Sequence, residues 1–295
     1  MEVPKIFWFF EELNDPETNN IQRMMYLVEQ AGMEAYSTKY IPHGGMTYPF
    51  LPTDRPVVAF GSIGMMSHVM RIGNNHKHVY PCAWMNLPRL RCSVYYSYWG
   101  EYLLQQKYAF YPLSEVLRLR EQIYSVFGKD NQIFVRPDTN TKDFTGQIVH
   151  LDQMKRFVNS VSYRDPLSEL MCVVAQPQEI KAEYRLIVHN KEVITGSRYI
   201  LDGHLDLDPY YPEGAVQVAE SAVRVWSPHP ILAIDVADTH MGFRIIECGS
   251  VNCAGLYMAN LDLVIQAITE QTKEEWFDTQ PPFECKGRIS RSDCV

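Results

Sequence analysis

Two carboxylates and an amide in the second half of the chain are the residues best suited to hold a cation. Asp235 and Glu247 each end an apolar strand, and a turn at Met241-Gly242 joins the two strands. Asn252 follows closely. If the strands pair as a hairpin, all three side chains can meet at one site, and an all-oxygen cluster of this kind suits Mg²⁺. The alternative is that both acids are simply solvated at the strand ends.

A polar loop with two cations follows an earlier strand and suits the binding of phosphate groups. Residues 134–146 read F-V-R-P-D-T-N-T-K-D-F-T-G, so Arg136 ends the strand and Lys142 lies in the loop. If the loop folds back over the strand, both cations face the same space, beside residues small enough for phosphate oxygens to reach backbone N–H groups. Surface ion pairs made by these cations are the alternative.

A third charged pattern lies on a predicted hairpin within residues 179–199. Strand alternation places Glu183 and Arg185 on one face and Tyr184 on the other. Arg198 lies on the return strand. Each arginine could instead pair with a neighbouring glutamate, so this pattern alone leaves the function open.

The seven cysteines argue against zinc and thiol chemistry. They are isolated from one another, form no C-x-x-C pair, and are odd in number, which excludes a fully paired disulfide framework. Cys248 and Cys253 flank the acidic residues, but no base is positioned beside them, so we predict small buried thiols. Reduced cysteines are typical of the cytosol.

The composition of the whole chain is that of a folded protein. Its 295 residues are 46% hydrophobic and 21% charged, which excludes a disordered chain. A formal charge of −8 disfavours a broad surface for nucleic acid. The first ten residues lack the features of a signal peptide, and no apolar run reaches about 18 residues. We therefore expect a soluble, cytoplasmic protein that does not contact a membrane.

Two patterns of predicted elements divide the chain. Its first part alternates strand and helix and predicts a small α/β lobe with parallel strands, over residues 6–10, 21–31, 56–60 and 65–72. The aromatic stretch 80–102 is expected to pack in a core. The later part predicts an α+β body with helices at 113–127, 151–159, 214–226 and 261–271, and strands at 133–136, 147–149, 171–175, 184–188, 193–199, 231–236 and 243–247.

The order of the charged segments resembles the ATP-grasp superfamily, and more narrowly its clade marked by one arginine and two lysines, which includes many phage and bacterial proteins. The matching stretches are F-x-R-P-D-x-x-x-K-x-F-T-G, E-Y-R…G-S-R-Y and I-I-E…S-x-N-x-x-G-L-Y, within residues 56–260. The resemblance implies an α+β fold in which two subdomains clasp ATP after a small α/β lobe. The expected bounds are 1–110 for the lobe, 111–175 and 176–278 for the subdomains, and 279–295 for a tail.

The resemblance also implies a role for each candidate residue, with ATP and Mg²⁺ as cofactors. Arg185 and Arg198 are the implied catalytic residues, because they would steady the transferred phosphoryl group. The implied ATP-binding residues are Lys107, Arg136, Lys142, Cys172, Val173, Val174, Ala175 and Glu183. The implied metal ligands are Asp235, Glu247 and Asn252. One departure is clear: Gly249 stands where the family's Glu-x-Asn pattern has its amide, so Asn252 either replaces that amide or only shapes the loop.

These implications favour an ATP- and Mg²⁺-dependent ligase that joins a small carboxylate substrate to an amine through an acyl phosphate. The missing amide keeps open a second hypothesis, an inactive ATP-grasp module that binds a nucleotide or a partner. A third hypothesis is an ATP-grasp modifier of a protein or nucleic acid. The acidic net charge makes nucleic acid the less expected target.

Overall fold

The N-terminal part of the chain forms a parallel α/β lobe. The computed structural model describes residues 4–13, 17–41, 45–46, 52, 54–75, 81–82, 84–161 and 169–279, with side chains left undescribed at 45–46, 71–75, 81–82 and 277–279. The elements of the lobe are β1 (Phe7–Glu11), α1 (Asn20–Gln30), β2 (Glu34–Thr38), β3 (Tyr40–Ile41), β4 (Gly45–Met46), β5 (Val57–Phe60), α2 (Ile63–Asn75), β6 (Pro81–Cys82) and α3 (Cys92–Trp99). Parallel strands in the order β2-β1-β5-β6 form its sheet, and β3 pairs with β4.

The aromatic run at the start of the chain becomes the buried strand of this lobe. All five residues of β1 are buried, as expected for a parallel strand covered on both faces. Trp8 and Phe10 pack in a cluster with α1 and α8 (Leu261–Thr279), whereas Phe7 and Phe9 join a second cluster with α2 and α3. Strand alternation therefore ties the lobe to two different parts of the core.

The second layer is an antiparallel sheet with helices on one side. Its elements are β7 (Tyr108–Pro112), α4 (Leu113–Arg118), α5 (Arg120–Phe127), β8 (Gln132–Pro137), β9 (Gln147–His150), α6 (Met154–Val161) and β10 (Met171–Ala175). The strand order is β7-β10-β8-β9. β7 spans the boundary expected at residue 110 and pairs within this second sheet.

The helix predicted over residues 113–127 is two helices. The backbone leaves the helical region at Leu119, with φ −101° and ψ 18°. Both halves bury apolar side chains in one cluster with β8 and β10, including Leu113 and Val116 from α4 and Ile123 and Phe127 from α5. The apolar spacing was therefore informative about burial, but it did not reveal the break.

The third layer is a five-stranded antiparallel sheet covered by two helices. Its elements are β11 (Ala182–His189), β12 (Glu192–Leu201), β13 (His204–Asp208), α7 (Glu213–Val225), β14 (Ile231–Thr239), β15 (Gly242–Gly249) and α8. The strand order is β13-β12-β11-β14-β15. An α/β lobe followed by two antiparallel α+β layers confirms the predicted fold class. Apart from Thr279, the expected tail lies outside the described residues.

No helix in the described part of the chain is long and apolar enough to cross a membrane.

Candidate functional site

A cavity of about 480 Å³ lies between the second and third sheets. Its volume is within the range of small-molecule sites. Strand β8, the loop after it, and strands β11, β14 and β15 contribute its charged residues. Among the residues singled out from the sequence, those that line it are Arg136, Lys142, Glu183, Arg185, Asp235 and Glu247.

The two predicted metal-binding carboxylates lie opposite each other at this cavity. Asp235 on β14 pairs in register with Glu247 on β15, so their side chains share one face of the sheet. Like charges placed this way repel each other unless cations lie beside them. Each acid has an arginine partner, which explains how the pair is tolerated.

Arg185 neutralises Asp235 through a bidentate ion pair. Nε and Nη2 of the arginine donate to the two carboxylate oxygens at 2.7 Å each. Nη1 donates to the carbonyl of Gly255 at 3.1 Å, and the guanidinium lies over the stacked rings of Tyr199 and Tyr257. The arginine is therefore held rigidly with its planar group at the cavity wall.

Arg136 makes the corresponding contact with Glu247. Its Nη2 donates to a carboxylate oxygen of Glu247, and its Nη1 donates to the carbonyl of Ile246 at 3.0 Å. Burial alone would raise the pKa of Glu247, but the charges of Arg136 and Arg185 and the hydrogen bond outweigh it and lower that pKa. Glu247 is thus an ionised carboxylate at neutral pH.

The loop between β8 and β9 folds back over its strand, which is the condition under which Arg136 and Lys142 can face the same space. A Cβ built on Gly146 would lie 3.2 Å from both the Cβ of Arg136 and a ring carbon of Phe134, so a residue without a side chain suits this close approach. Lys142 adopts a left-handed conformation with φ +56° and is exposed at the cavity. Non-glycine residues in this conformation are uncommon and cluster at functional sites.

Glu183 is the third acid at the cavity, and its hydrogen-bond partner is neutral. The Oη of Tyr199 donates to it at 2.5 Å. Burial raises the pKa of Glu183, and the charges of Asp235 and Glu247 add to this effect, while the hydrogen bond from Tyr199 opposes it. The raised pKa distinguishes this carboxyl from Glu247.

Gln105 is a cavity residue that the motifs did not indicate. Its side chain is buried, with 5% exposed, and its Oε1 has no hydrogen-bond partner among the residues that the structure describes. A buried polar atom left unpaired is unfavourable by about 1–3 kcal/mol, so a ligand is the natural partner for this amide. Lys107, two residues further along the chain, is the residue of this segment that the resemblance implied for ATP binding.

Lys107 itself does not line the cavity. Its Nζ donates to the carbonyl of Val126 at 2.6 Å and lies 5.9 Å from the ring centre of Phe127. A cation at the C-terminal end of α5 is stabilised by the helix dipole. The structure therefore does not bring Lys107 together with Arg136 and Lys142, and its role in nucleotide binding stays a prediction.

Arg198 is also outside the cavity. It follows the alternation of β12, on which Tyr199 faces the cavity, so Arg198 points to the opposite face and pairs in register with Tyr184. Its guanidinium is held by Asp206 and Asp208 on the neighbouring strand β13. Of the two implied catalytic arginines, the structure therefore brings only Arg185 to the cavity, and the role of Arg198 stays a prediction.

The strand that carries four of the implied ATP-binding residues is enclosed between its neighbours. β10 pairs with β7 on one side and β8 on the other, and its residues Cys172, Val173, Val174 and Ala175 are buried. Those side chains pack in the core, away from the cavity lining. The residues that reach the cavity come directly after the strand, at Gln178 and Ile180.

Asn252 holds two layers of the fold together. Its Nδ2 donates to the carbonyl of Ala59 at 2.7 Å, and its backbone carbonyl accepts from the N–H of Gly61 at 2.9 Å. Its Oδ1 accepts from Ser250. The side chain is completely buried outside the cavity lining, so the structure does not bring it together with Asp235 and Glu247.

Asp138, the acid of the R-P-D stretch, has a similar structural role. It is 2% exposed and accepts from the N–H of Ser93 at 2.7 Å and from the hydroxyl of Ser93 at 3.0 Å. This carboxylate caps the first turn of α3 and joins the second sheet to the N-terminal lobe.

Of the two thiols that flank the acidic residues, Cys248 is buried, as predicted, whereas Cys253 is only partly buried. Cys92, Cys172, Cys248 and Cys253 are all free. Burial raises the pKa of Cys253 to about 11, so this thiol stays protonated at neutral pH.

The donor atoms at the cavity fit a hard divalent cation. Asp235 and Glu247 offer carboxylate oxygens from neighbouring strands, and Mg²⁺ in nucleotide sites is commonly held by one or two carboxylates together with phosphate oxygens and water. Soft ligands are absent from the described part of the lining. The chemistry of the donor set therefore agrees with magnesium.

Comparisons with known proteins point to one family. The model of an ATP-grasp domain, family 2 of the clade marked by one arginine and two lysines, matches residues 116–267. No curated protein matches the chain in sequence.

Solved structures share the fold. D-cycloserine synthetase DcsG is similar with a TM-score of 0.65 and 11% identity, over 92% of this chain and 99% of that one. D-alanyl-alanine synthetase A from Vibrio cholerae has a TM-score of 0.60 and 11% identity, over 92% and 99%. The ATP-grasp ligase PsnB, complexed with a precursor variant, Mg and ADP, has a TM-score of 0.53 and 10% identity, over 92% and 100%.

Proposed function

Because the chain belongs to the ATP-grasp family, in the clade marked by one arginine and two lysines, we propose that it is an ATP-dependent ligase that joins a carboxylate to an amine through an acyl phosphate. The observation that carries the proposal is a single cavity lined by Arg136, Lys142 and Arg185 beside Asp235 and Glu247. Three cations and two strand-borne acids at one cleft between antiparallel sheets suit a metal-bound polyphosphate.

The main catalytic role in this reaction would be that of the three cations. Phosphoryl transfer depends chiefly on positioning and on neutralising charge on the phosphate oxygens. Arg136 and Arg185 are already held in place by the carboxylates, so little side-chain freedom would be lost when a phosphate binds. Lys142, on its exposed loop, would bind from the other side of the cavity.

Asp235 and Glu247 would hold Mg²⁺, which when bound neutralises charge on the ATP phosphates.

The adenine base of ATP would occupy the apolar part of the cavity. Phe134, Ile148 and Ile180 line it, and Gln178 lies beside them. Apolar walls with a few polar groups are typical of sites for flat ligands. Gln105, whose buried Oε1 is unpaired among the described residues, would contribute a further polar contact to the nucleotide.

The names of the solved structures suggest which acceptors to test. They mention D-cycloserine, D-alanyl-alanine and a precursor. Small amino-acid-like amines and short peptides are therefore the two acceptor classes that we propose for this chain.

An inactive nucleotide-binding module is the second candidate. Two observations favour the inactive module. Gly249 stands in place of an amide, and both carboxylates are already paired with arginines. Such a module would bind ATP equally well with and without Mg²⁺.

ATP turnover with mixed acceptors tests these two hypotheses. The full chain is incubated with ATP, Mg²⁺ and mixtures of amino acids or short peptides, and release of ADP and phosphate is followed. The ligase requires turnover that depends on both a carboxylate and an amine and is lost in Lys142→Ala. Lys155→Ala, at an exposed position of α6, is the matched control. Magnesium-independent binding without turnover would identify the inactive module, and failure to bind ATP would refute the proposal.

A further inference from the structure

An amide from the loop after β8 lies at the acidic end of the cavity. Asn140 lines the same cavity as Asp235 and Glu247. Its Nδ2 donates to the backbone carbonyl of Cys248 at 2.9 Å. Because a carbonyl can only accept, this bond fixes which end of the carboxamide is the oxygen. Oδ1 is thus the other end, and it accepts no hydrogen bond from any residue in the described part of the chain.

The carboxamide fills the space beside a glycine. A Cβ built on Gly249 would lie 3.6 Å from Oδ1 and 3.8 Å from Nδ2 of Asn140, and these are the only described heavy atoms within 4 Å. Gly249 follows Glu247 by two residues on β15, so the two positions share one face of the strand. A side chain at position 249 would therefore compete with Asn140 for the same place next to Glu247.

Resting on the proposed function, we propose that Asn140 Oδ1 is a ligand, together with Asp235 and Glu247, of the divalent cation that accompanies the nucleotide. Hard divalent cations accept amide oxygens as well as carboxylates. Among the described residues, no group of three or more His, Cys, Asp and Glu side chains is arranged to hold a metal. A neutral amide supplied by the loop would enlarge the oxygen set without adding a negative charge.

The competing interpretation is that Asn140 only ties the loop to β15. The hydrogen bond to Cys248 spans the second and third sheets, so its loss could displace Lys142 on the same loop. A tie of this kind would affect nucleotide binding whether or not metal is present. A metal ligand would affect cation binding specifically.

Manganese binding separates the two interpretations. The full chain is titrated with Mn²⁺ in the presence of the non-hydrolysable analogue β,γ-imido-ATP, and free Mn²⁺ is followed by electron paramagnetic resonance. We expect Asn140→Ala to weaken Mn²⁺ binding about tenfold, the scale of losing one oriented group at a metal site. Affinity for the nucleotide measured in EDTA should not change. Asn159→Ala, at an exposed position of α6, is the matched control.

Moving the amide to the strand provides the decisive variant. In Asn140→Ala/Gly249→Asn the carboxamide returns from position 249 into the space that Asn140 vacates, so we expect Mn²⁺ affinity to recover. Three results would overturn the proposal: unchanged Mn²⁺ binding in Asn140→Ala, an equal loss of nucleotide affinity in EDTA, or no recovery in the double variant. If the wild-type chain binds no nucleotide at all, the proposed function fails instead.

Discussion

Arg185 and Asp235 lie directly opposite each other on strands β11 and β14, and two hydrogen bonds of 2.7 Å join them. Their side chains are only 16% and 5% exposed. Two charges can remain in such a place because each neutralises the other, so removal of one leaves the other buried and unpaired. The ion pair that shapes the cavity is therefore also a condition for the sheet to be stable.

Replacing the acid tests this relationship. We expect Asp235→Asn to lower the free energy of unfolding by about 3 kcal/mol, because the Arg185 charge remains buried without its counterion. Urea unfolding followed by circular dichroism measures the loss. Arg118→Ala removes an exposed ion pair with Glu115 and should change stability by less than about 0.5 kcal/mol. Equal losses in the two variants would show that Asp235 does not carry this structural role.

The two lysines near the second sheet should behave differently toward ATP. Lys142 is at the cavity, whereas Lys107 is bonded to the end of α5. We expect Lys142→Ala to weaken ATP binding about fivefold, since one cation near a phosphate contributes on the order of 1 kcal/mol at an exposed site. Lys107→Ala should leave the affinity unchanged. Isothermal titration calorimetry in low salt decides, and the reverse order would return Lys107 to the nucleotide site.

Short-range rules predicted much of the charged site. Alternation along β11 placed Glu183 and Arg185 on one face, and the hairpin of β14 and β15 brought Asp235 opposite Glu247. Each of these inferences needs only strand periodicity and one turn, so the local sequence contains the required information.

The predicted site residues that lie away from the cavity are positioned by distant partners. Asn252 is bonded to the carbonyl of Ala59, 193 positions away in the chain, and no local pattern reveals such a contact. Arg198 faces away because of the pairing register of β11 and β12, which contains irregularities next to Tyr184 and Val188. Bulges shift which side chain reaches a face, and they are not visible in residue spacing.

The third acid of the cavity should give stability a distinctive pH dependence. Burial raises the pKa of Glu183 above its usual value of 4.5. The folded protein then holds the proton on the Glu183 carboxyl more tightly than the unfolded chain does. The contribution of Glu183 to the free energy of unfolding is therefore fully present below the unfolded pKa, and it is lost as the pH rises through the folded pKa. Relative to Glu183→Gln, the wild type should lose stability as the pH rises above 4.5.

Glu247 provides a control, because its effect on the pH dependence of stability has the opposite sign. Its pKa is lowered, so its contribution is present above the unfolded value and is lost as the pH falls through the folded value. Relative to Glu247→Gln, the wild type should therefore lose stability toward acid. Chemical unfolding of the three proteins across this pH range measures both trends, and parallel stability curves would contradict the assignment for Glu183.

Replacing Gln105 should raise stability and weaken ATP binding. Its Oε1 is buried without a partner among the described residues, so Gln105→Leu removes an unpaired polar atom and should raise the free energy of unfolding by about 1 kcal/mol. The same change removes a polar contact from the cavity, so ATP affinity should fall. Gln106→Leu is the matched control, because Gln106 is exposed and donates to the carbonyls of Leu103 and Gly100. That variant should lose stability and keep its ATP affinity. Urea unfolding and calorimetry on both variants give the test, and a Gln105→Leu protein with unchanged ATP affinity would show that this amide serves only the fold.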